Sequence, residues 1–359
     1  MNGLSRELIF HPGDTLREML EDRAMSQREL AIRTGFSEKH VSEVLNGIAP
    51  VSTKFASALE LVFGVDAEFW LNLQNNYEIE LLECRQEETV TEAELGVLHE
   101  LRDVIKYMKH VSLLPANAAK HEYVLSLRRL FAINNLTAIP NIVFTGAFRG
   151  SSSARVNIYV LFAWQRICEL SADRIVLTTP LDTERLKLQL PYIKSLMFLA
   201  PNEMQKELKR IFAECGIKFC IVKHFVGAPV QGFIEENKNG EIILCMTIRQ
   251  AYADIFWFTL FHEIAHILNG DIKCRFIDFT FTHNDEEALA DKFAREQLLS
   301  EDNYQNFIRQ RNFSLNSIKL FAQSEKVRPY IVIGRLQKEK LLPYSLYSKE
   351  KTRFTWSDK

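Results

Sequence analysis

The segment WFTLFHEIAHILNGD (residues 257–271) places two histidines and a glutamate inside the most apolar helical stretch of the chain. His262 and His266 are four residues apart, so on a helix they leave one face, one turn apart, and both imidazoles reach a single ion. Glu263 lies one position round, beside such an ion, where it can take a proton from metal-bound water. That is the chemistry of the H-E-x-x-H pattern, with Zn2+ as the expected cofactor. Ile255, Phe256, Phe258, Leu260, Phe261, Ile264, Ile267 and Leu268 make the helix apolar almost all round, the mark of a buried helix. An unpaired charge in such surroundings costs on the order of several kcal/mol. The three ionisable groups need a partner, and a divalent cation supplies one.

A catalytic zinc takes three protein ligands and leaves one position to water or substrate. Downstream, DEEALADKFAREQLL (residues 285–299) reads as a second helix, with Asp285 as N-cap and Ala288, Leu289, Phe293 and Leu298 as its apolar face. Glu287 and Asp291 are four apart on it. They can supply the third ligand and a carboxylate that orients a ligand histidine. Glu286 is open as the ligand instead, although an acidic first turn also complements the helix dipole. Tyr252, Arg275 and His283 are candidates to stabilise a developing oxyanion.

The elements that must position this site read as α+β. IKFCIVKH (217–224), PVQGFIEE (229–236) and EIILCMT (241–247) are strand-like, with Asn237 to Gly240 as the turn between the last two. A long helix follows at 254–268, another at 285–299, and more helix from 301. Residues 83–135 are helical and charged, and 141–216 mix helical with strand-like pieces. The division expected is a helical domain over 10–82, a connecting region over 83–216 and an α+β domain over 217–345.

Residues 10–82 read as all-helical. Pro12, Gly13 and Asp14 open a helix, and Ser26-Gln-Arg-Glu29 has the spacing of a capping box. Gly35 suits a tight turn, and Ser37 can cap a third helix with Val41, Val44 and Leu45 inward. Ser52 or Thr53 can cap a fourth, and Asp66 starts a fifth. Two short helices about a tight turn form a helix-turn-helix. Its third helix would enter the major groove of DNA, presenting Ser37, Glu38, Lys39, His40, Ser42 and Glu43 to base edges. Gln27 and Arg28 would meet phosphate, with Arg33 and Lys54 as further cations. One module makes few contacts, so a homodimer on a two-fold operator is expected. The stripe Phe69, Trp70, Leu73, Tyr77 is either a dimer contact or core.

Two resemblances sharpen these expectations. SQRELAIRTGFSEKHVSEVLNG and DAEFWLNLQNNYEIEL, within residues 20–82, resemble the HigA or Xre type of antitoxin and repressor domain. That implies DNA as a partner and a toxin protein as a possible second. DIFWFTLFHEIAHIL, EEALADKFAREQLL and VRPYIVIGRLQKEKLLPYS, spanning about 217–345, resemble the ImmA/IrrE family of zincin-like metallopeptidase domains. That resemblance implies His262, His266 and Glu287 on zinc, Glu263 as base, and a peptide or repressor protein as substrate. Where that family follows its leucines with proline, this chain has Leu299-Ser300-Glu301, a change in a turn and not in a ligand.

Composition bounds the rest. An apolar share of 47% with 25% charged residues excludes a disordered or collagen-like chain. Six cysteines without C-x-x-C spacing read as reduced thiols of a cytoplasmic protein. The start MNGLSRELIF lacks the pattern of a secretory signal, and no membrane partner is expected. Net charge is −2, and residues 1–82 carry seven basic against thirteen acidic side chains, so DNA binding requires the few cations to share one face.

Overall fold

The computed structural model describes residues 10–85, 89–143, 156–270, 272 and 285–356. The chain divides into two compact units, Met1–Glu92 and Ala93–Lys359.

The first unit contains α1 (Pro12–Asp22), α2 (Gln27–Thr34), α3 (Glu38–Leu45), α4 (Thr53–Phe63) and α5 (Ala67–Arg85). Serine hydroxyls start three of them. Ser26 accepts from the Glu29 N–H, Ser37 from His40 and Ser52 from Phe55, each satisfying a backbone donor that the first helical turn leaves without a partner. The capping box expected at Ser26 is half formed, because Glu29 turns to Arg33 at 2.7 Å. The reciprocal pair lies instead at α1, where His11 Nδ1 accepts from Gly13 and the Asp14 carboxylate accepts from the His11 N–H. Gly35 ends α2 at φ +74°, which lets α3 turn sharply away. Leu16, Leu30, Val41, Val44, Phe55, Leu59 and Trp70 form a fully buried core. The expected stripe on α5 is thus broken up. Trp70 is core beside Phe63, Tyr77 sets its ring edge-on to His11, and Phe69 is 43% exposed.

The second unit begins with α6 (Glu92–Glu100), α7 (Arg102–His110), α8 (Lys120–Phe131), α9 (Ile139–Val143), α10 (Ile158–Asp173), α11 (Thr183–Ser195) and α12 (Pro201–Glu214). Strands β1 (Ile217–Ile221), β2 (Gly232–Glu236) and β3 (Ile242–Met246) form one sheet in the order β1-β3-β2. β1 runs parallel to β3 with Ile217 opposite Ile242, and β2 runs antiparallel to β3 with Gly232 opposite Met246. The expected turn is present: Gly240 lies at φ +74° and donates to the Asn237 carbonyl at 2.9 Å.

Strand alternation gives the sheet two apolar faces. Ile217, Phe219, Ile234, Leu244 and Met246 share one core with α12 and with α13 (Ala253–Asn269). On the other face Phe233 meets Trp164 of α10 edge to face. Within residues 83–216, expected as a connecting region, α10 and α12 pack on the sheet in the same unit, and Leu208, Ile211 and Phe212 belong to its core.

Beyond α13 come α14 (Asp285–Leu298), α15 (Glu301–Arg309), α16 (Leu315–Ser324) and α17 (Pro329–Lys338). The buried face of α14 is turned from the one expected. Ala290, Ala294 and Leu298 are buried, whereas Leu289 is 57% exposed. The C-terminal segment straps the start of α13. Ala253 donates to the Thr352 carbonyl at 3.0 Å, Phe354 donates to Ala251, and Lys351 pairs with Asp254 at 2.7 Å. The four described cysteines Cys168, Cys215, Cys220 and Cys245 are buried and free. Among the described residues no helix is long and apolar enough to cross a membrane.

Trp70 holds the first unit's core, so Trp70→Ala is expected to cost about 3–5 kcal/mol. Urea unfolding followed through that unit measures it. A loss below about 1 kcal/mol would place the ring outside the core.

Candidate metal centre and nucleic-acid interface

Helix α13 is apolar because it is enclosed. Phe256, Trp257, Leu260, Phe261, Ile264 and Ile267 are buried, and Gly270 closes it at φ +71°. The face carrying His262 and His266 is turned to α14. His266 is buried, and the His262 side chain is 17% exposed.

The two Nε2 atoms stand 3.1 Å apart. Glu287 Oε2 lies 3.1 Å from His262 Nε2, and its Oε1 lies 3.6 Å from His266 Nε2. Ligand atoms of these three residues all lie within 4.8 Å of one another. Asp291 Oδ1, one turn further along α14, is 2.9 Å from His262 Nδ1. Sequence spacing thus leads to one cluster: i and i+4 on α13 facing i and i+4 on α14.

The donor set fits a zinc ion. Tetrahedral Zn–N bonds of about 2.0–2.1 Å put ligand atoms about 3.3 Å apart, and the separations here bracket that figure at 3.1 to 3.6 Å. Asp291 accepting from Nδ1–H fixes the His262 tautomer, leaving the Nε2 lone pair for the cation. Burial opposes protonation of His262. The hydrogen bonds to Asp291 and Glu287 and the charges of Glu263 and Asp291 outweigh it, and the pKa is pushed up to about 10. The protein surrounds this imidazole with enough negative charge to hold a cation of some kind, proton or metal.

The structure separates the other candidates. Glu263 lies on α13 with its carboxylate against the backbone of Gly232 at the start of β2. Sequence reading missed Gly232, although a glycine in a strand is a signal of close approach. Glu287, and not Glu286, joins the cluster. Tyr252 is not brought to it. It caps the far end of α13, ten residues and so about 15 Å of helix rise from His262, with Lys351 and Arg353 over its ring. Arg275 and His283 lie outside the described residues.

In the first unit, Gln27, Arg28, Ser37, Glu38 and Lys39 are exposed at the adjoining starts of α2 and α3, while Ser42 and Glu43 are half-buried. His40 is a correction. Its ring stacks on Phe36 at 4.9 Å and meets Phe55 at 5.2 Å, so apolar contact turns it inward, away from a groove. The Ser37 hydroxyl is engaged as a cap. The cations are locally matched: Arg28 lies 3.5 Å from Glu38 and Lys39 3.7 Å from Glu43. Such exposed pairs contribute little to stability.

A helix-turn-helix family model matches residues 16–70. A relative from Escherichia coli (strain K12), the uncharacterized HTH-type transcriptional regulator YddM, is 34% identical over 68 residues, covering 19% of this chain and 72% of that protein. Virulence-associated protein I of Dichelobacter nodosus is 32% identical over 75 residues, covering 21% and 69%. Among solved structures, an addiction module antidote protein of a HigA family from Coxiella burnetii is 34% identical. It covers 23% of this chain and 96% of its own, with a TM-score of 0.22. Pseudomonas aeruginosa antitoxin HigA, solved with the higBA promoter, is 27% identical, covering 23% and 97%, with a TM-score of 0.22. Residues 16–70 fall in the unit that folds as five helices about a capped tight turn, and the chain belongs to the helix-turn-helix family.

Proposed function

We propose that the chain is a DNA-binding transcriptional regulator whose larger unit carries a zinc-dependent peptidase site. His262, His266 and Glu287 would hold the ion, and Glu263 would act as general base. One observation carries this reading. Two imidazoles and a carboxylate from separate helices converge within 4.8 Å on a face of an otherwise enclosed helix. The resemblance of residues 217–345 to ImmA/IrrE domains supports it.

A bound zinc would polarise a peptide carbonyl and lower the pKa of its water toward neutrality. The chain's own groups then have separate tasks. Asp291 holds the His262 ring in orientation and tautomer. Glu263 takes up a proton and passes it to the leaving amine. The apolar packing of α13 keeps the ligand histidines from turning to solvent. In the smaller unit α3 would lie in the major groove with Lys39 and Arg28 toward phosphate, and a homodimer would span a two-fold operator. A repressor protein, or the chain itself, would be the peptide substrate.

A second reading makes the protein an antitoxin-like repressor whose zinc fold docks a partner without cutting it. The resemblance of residues 20–82 to HigA-type antitoxin domains favours it. A small toxin that copurifies, together with promoter binding unchanged by a chelator, selects this reading over the first.

Zinc measured on the purified protein is expected near one ion per chain, and at least about tenfold lower in His262→Ala. Equal contents in the two proteins would remove the metal centre. With zinc retained, Glu263→Gln is expected to slow cleavage by about 10²- to 10⁴-fold, and cleavage at the wild-type rate would refute the base.

The proton on His262 gives a further check. In zinc-free protein its folded-state pKa is raised, so its contribution to stability is complete below pH 6.5 and is lost as the pH rises through about 10. Zinc binding at pH 7 must therefore release about one proton. Calorimetry in two buffers of different ionisation enthalpy reads that number, and a count of zero contradicts the assignment. On DNA from upstream of its own coding sequence, Lys39→Ala should lower the salt slope of binding by about one. An unchanged slope would take Lys39 off the phosphates.

A further inference from the structure

The alternation of β2 sets Gly232, Ile234 and Glu236 on one side of the strand, and Ile234 is buried in the core that α13 shares. A glycine on such a face forgoes the packing that a β-branched residue would provide, and weakens the strand. Backbone conformation does not call for it, because Gly232 is absent from the positive-φ glycines. A neighbouring side chain fills the space instead. A Cβ on Gly232 would stand 2.3 Å from Glu263 Oε1 and 2.8 Å from both its Cδ and its Cγ. β2 is held by its antiparallel ladder with β3, which pairs Gly232 with Met246. Thr259, one turn before Glu263 on α13, is hydrogen-bonded to Gln231 Oε1 at 3.3 Å, and Thr247 donates to the Gln231 carbonyl at 2.8 Å.

We propose that Gly232 is a positioning residue: the space left by its missing side chain is where the Glu263 carboxylate is held beside the His262, His266 and Glu287 cluster. A methyl group there meets the last three atoms of the glutamate that the contacts name, so the whole end of the side chain must rotate away. The helix backbone keeps both histidines where they are. The chemical meaning of this role rests on the metal-centre reading above; the packing contact does not.

Two measurements on the full chain test it. In a thermal-unfolding cycle, Gly232→Ala is expected to lower Tm by about 3 °C or more as an overpacked contact. Once Glu263→Ala has vacated the space, the same change should cost less than about 1 °C. Equal shifts in both backgrounds overturn the proposal. The second measurement uses cobalt(II) as a visible probe of the ion site. Gly232→Ala should bind one cobalt per chain, with an affinity loss below the roughly tenfold expected when a ligand's support is removed. Its absorption spectrum should match that of Glu263→Gln and not that of the wild type. A wild-type spectrum from Gly232→Ala overturns the positioning role and leaves the metal centre standing. A wild-type chain that takes up no cobalt overturns the metal-centre reading and the role together.

Discussion

Two imidazole Nε2 atoms stand 3.1 Å apart with a carboxylate 3.1 Å from one and 3.6 Å from the other, so at most one hydrogen fits on the line between the nitrogens. This constraint organises the larger unit. It requires a helix that presents i and i+4 to the same point, a second helix whose acidic first turn arrives opposite, and apolar surroundings dense enough to prevent relaxation. The sheet and the helices on both its faces provide that density. Asp291 completes the arrangement from outside, since a ring held at Nδ1 has one orientation left for Nε2.

The site was legible in sequence because its spacings are helical. Four-residue intervals on two helices predict convergence without any knowledge of topology; in the structure His262, His266 and Glu287 lie within 4.8 Å of one another, with Asp291 2.9 Å from His262. The first unit was legible for a similar reason: serines that cap helices and glycines that end them are local signals. What stayed hidden was long-range. Nothing in residues 83–216 reveals that α12 lies on the sheet, because its apolar stripe would suit any partner surface. The inward turn of His40 depends on Phe36 and Phe55 meeting around it. The rotated face of α14 depends on where α13 lies, which leaves Leu289 outside. Gly232 was missed because its partner is far away in sequence and the contact is defined by an absent atom.

The two units answer different electrostatic demands. In the larger one, carboxylates gather around a buried imidazole and the local field favours a cation strongly. In the smaller one, exposed carboxylates sit beside each cation of α2 and α3 and cancel much of the field that would draw a nucleic acid from a distance.

The strap across the start of α13 ties residues 251–254 to residues 351–354. Among the described residues, the buried core of α1 to α5 is drawn from residues between Leu16 and Trp70. During synthesis on the ribosome, the amino-terminal unit can reach its native form while the remainder is still emerging. The helix bearing the histidines gains this anchor only once residues 351–354 have emerged, so the order of translation makes maturation of the two units sequential.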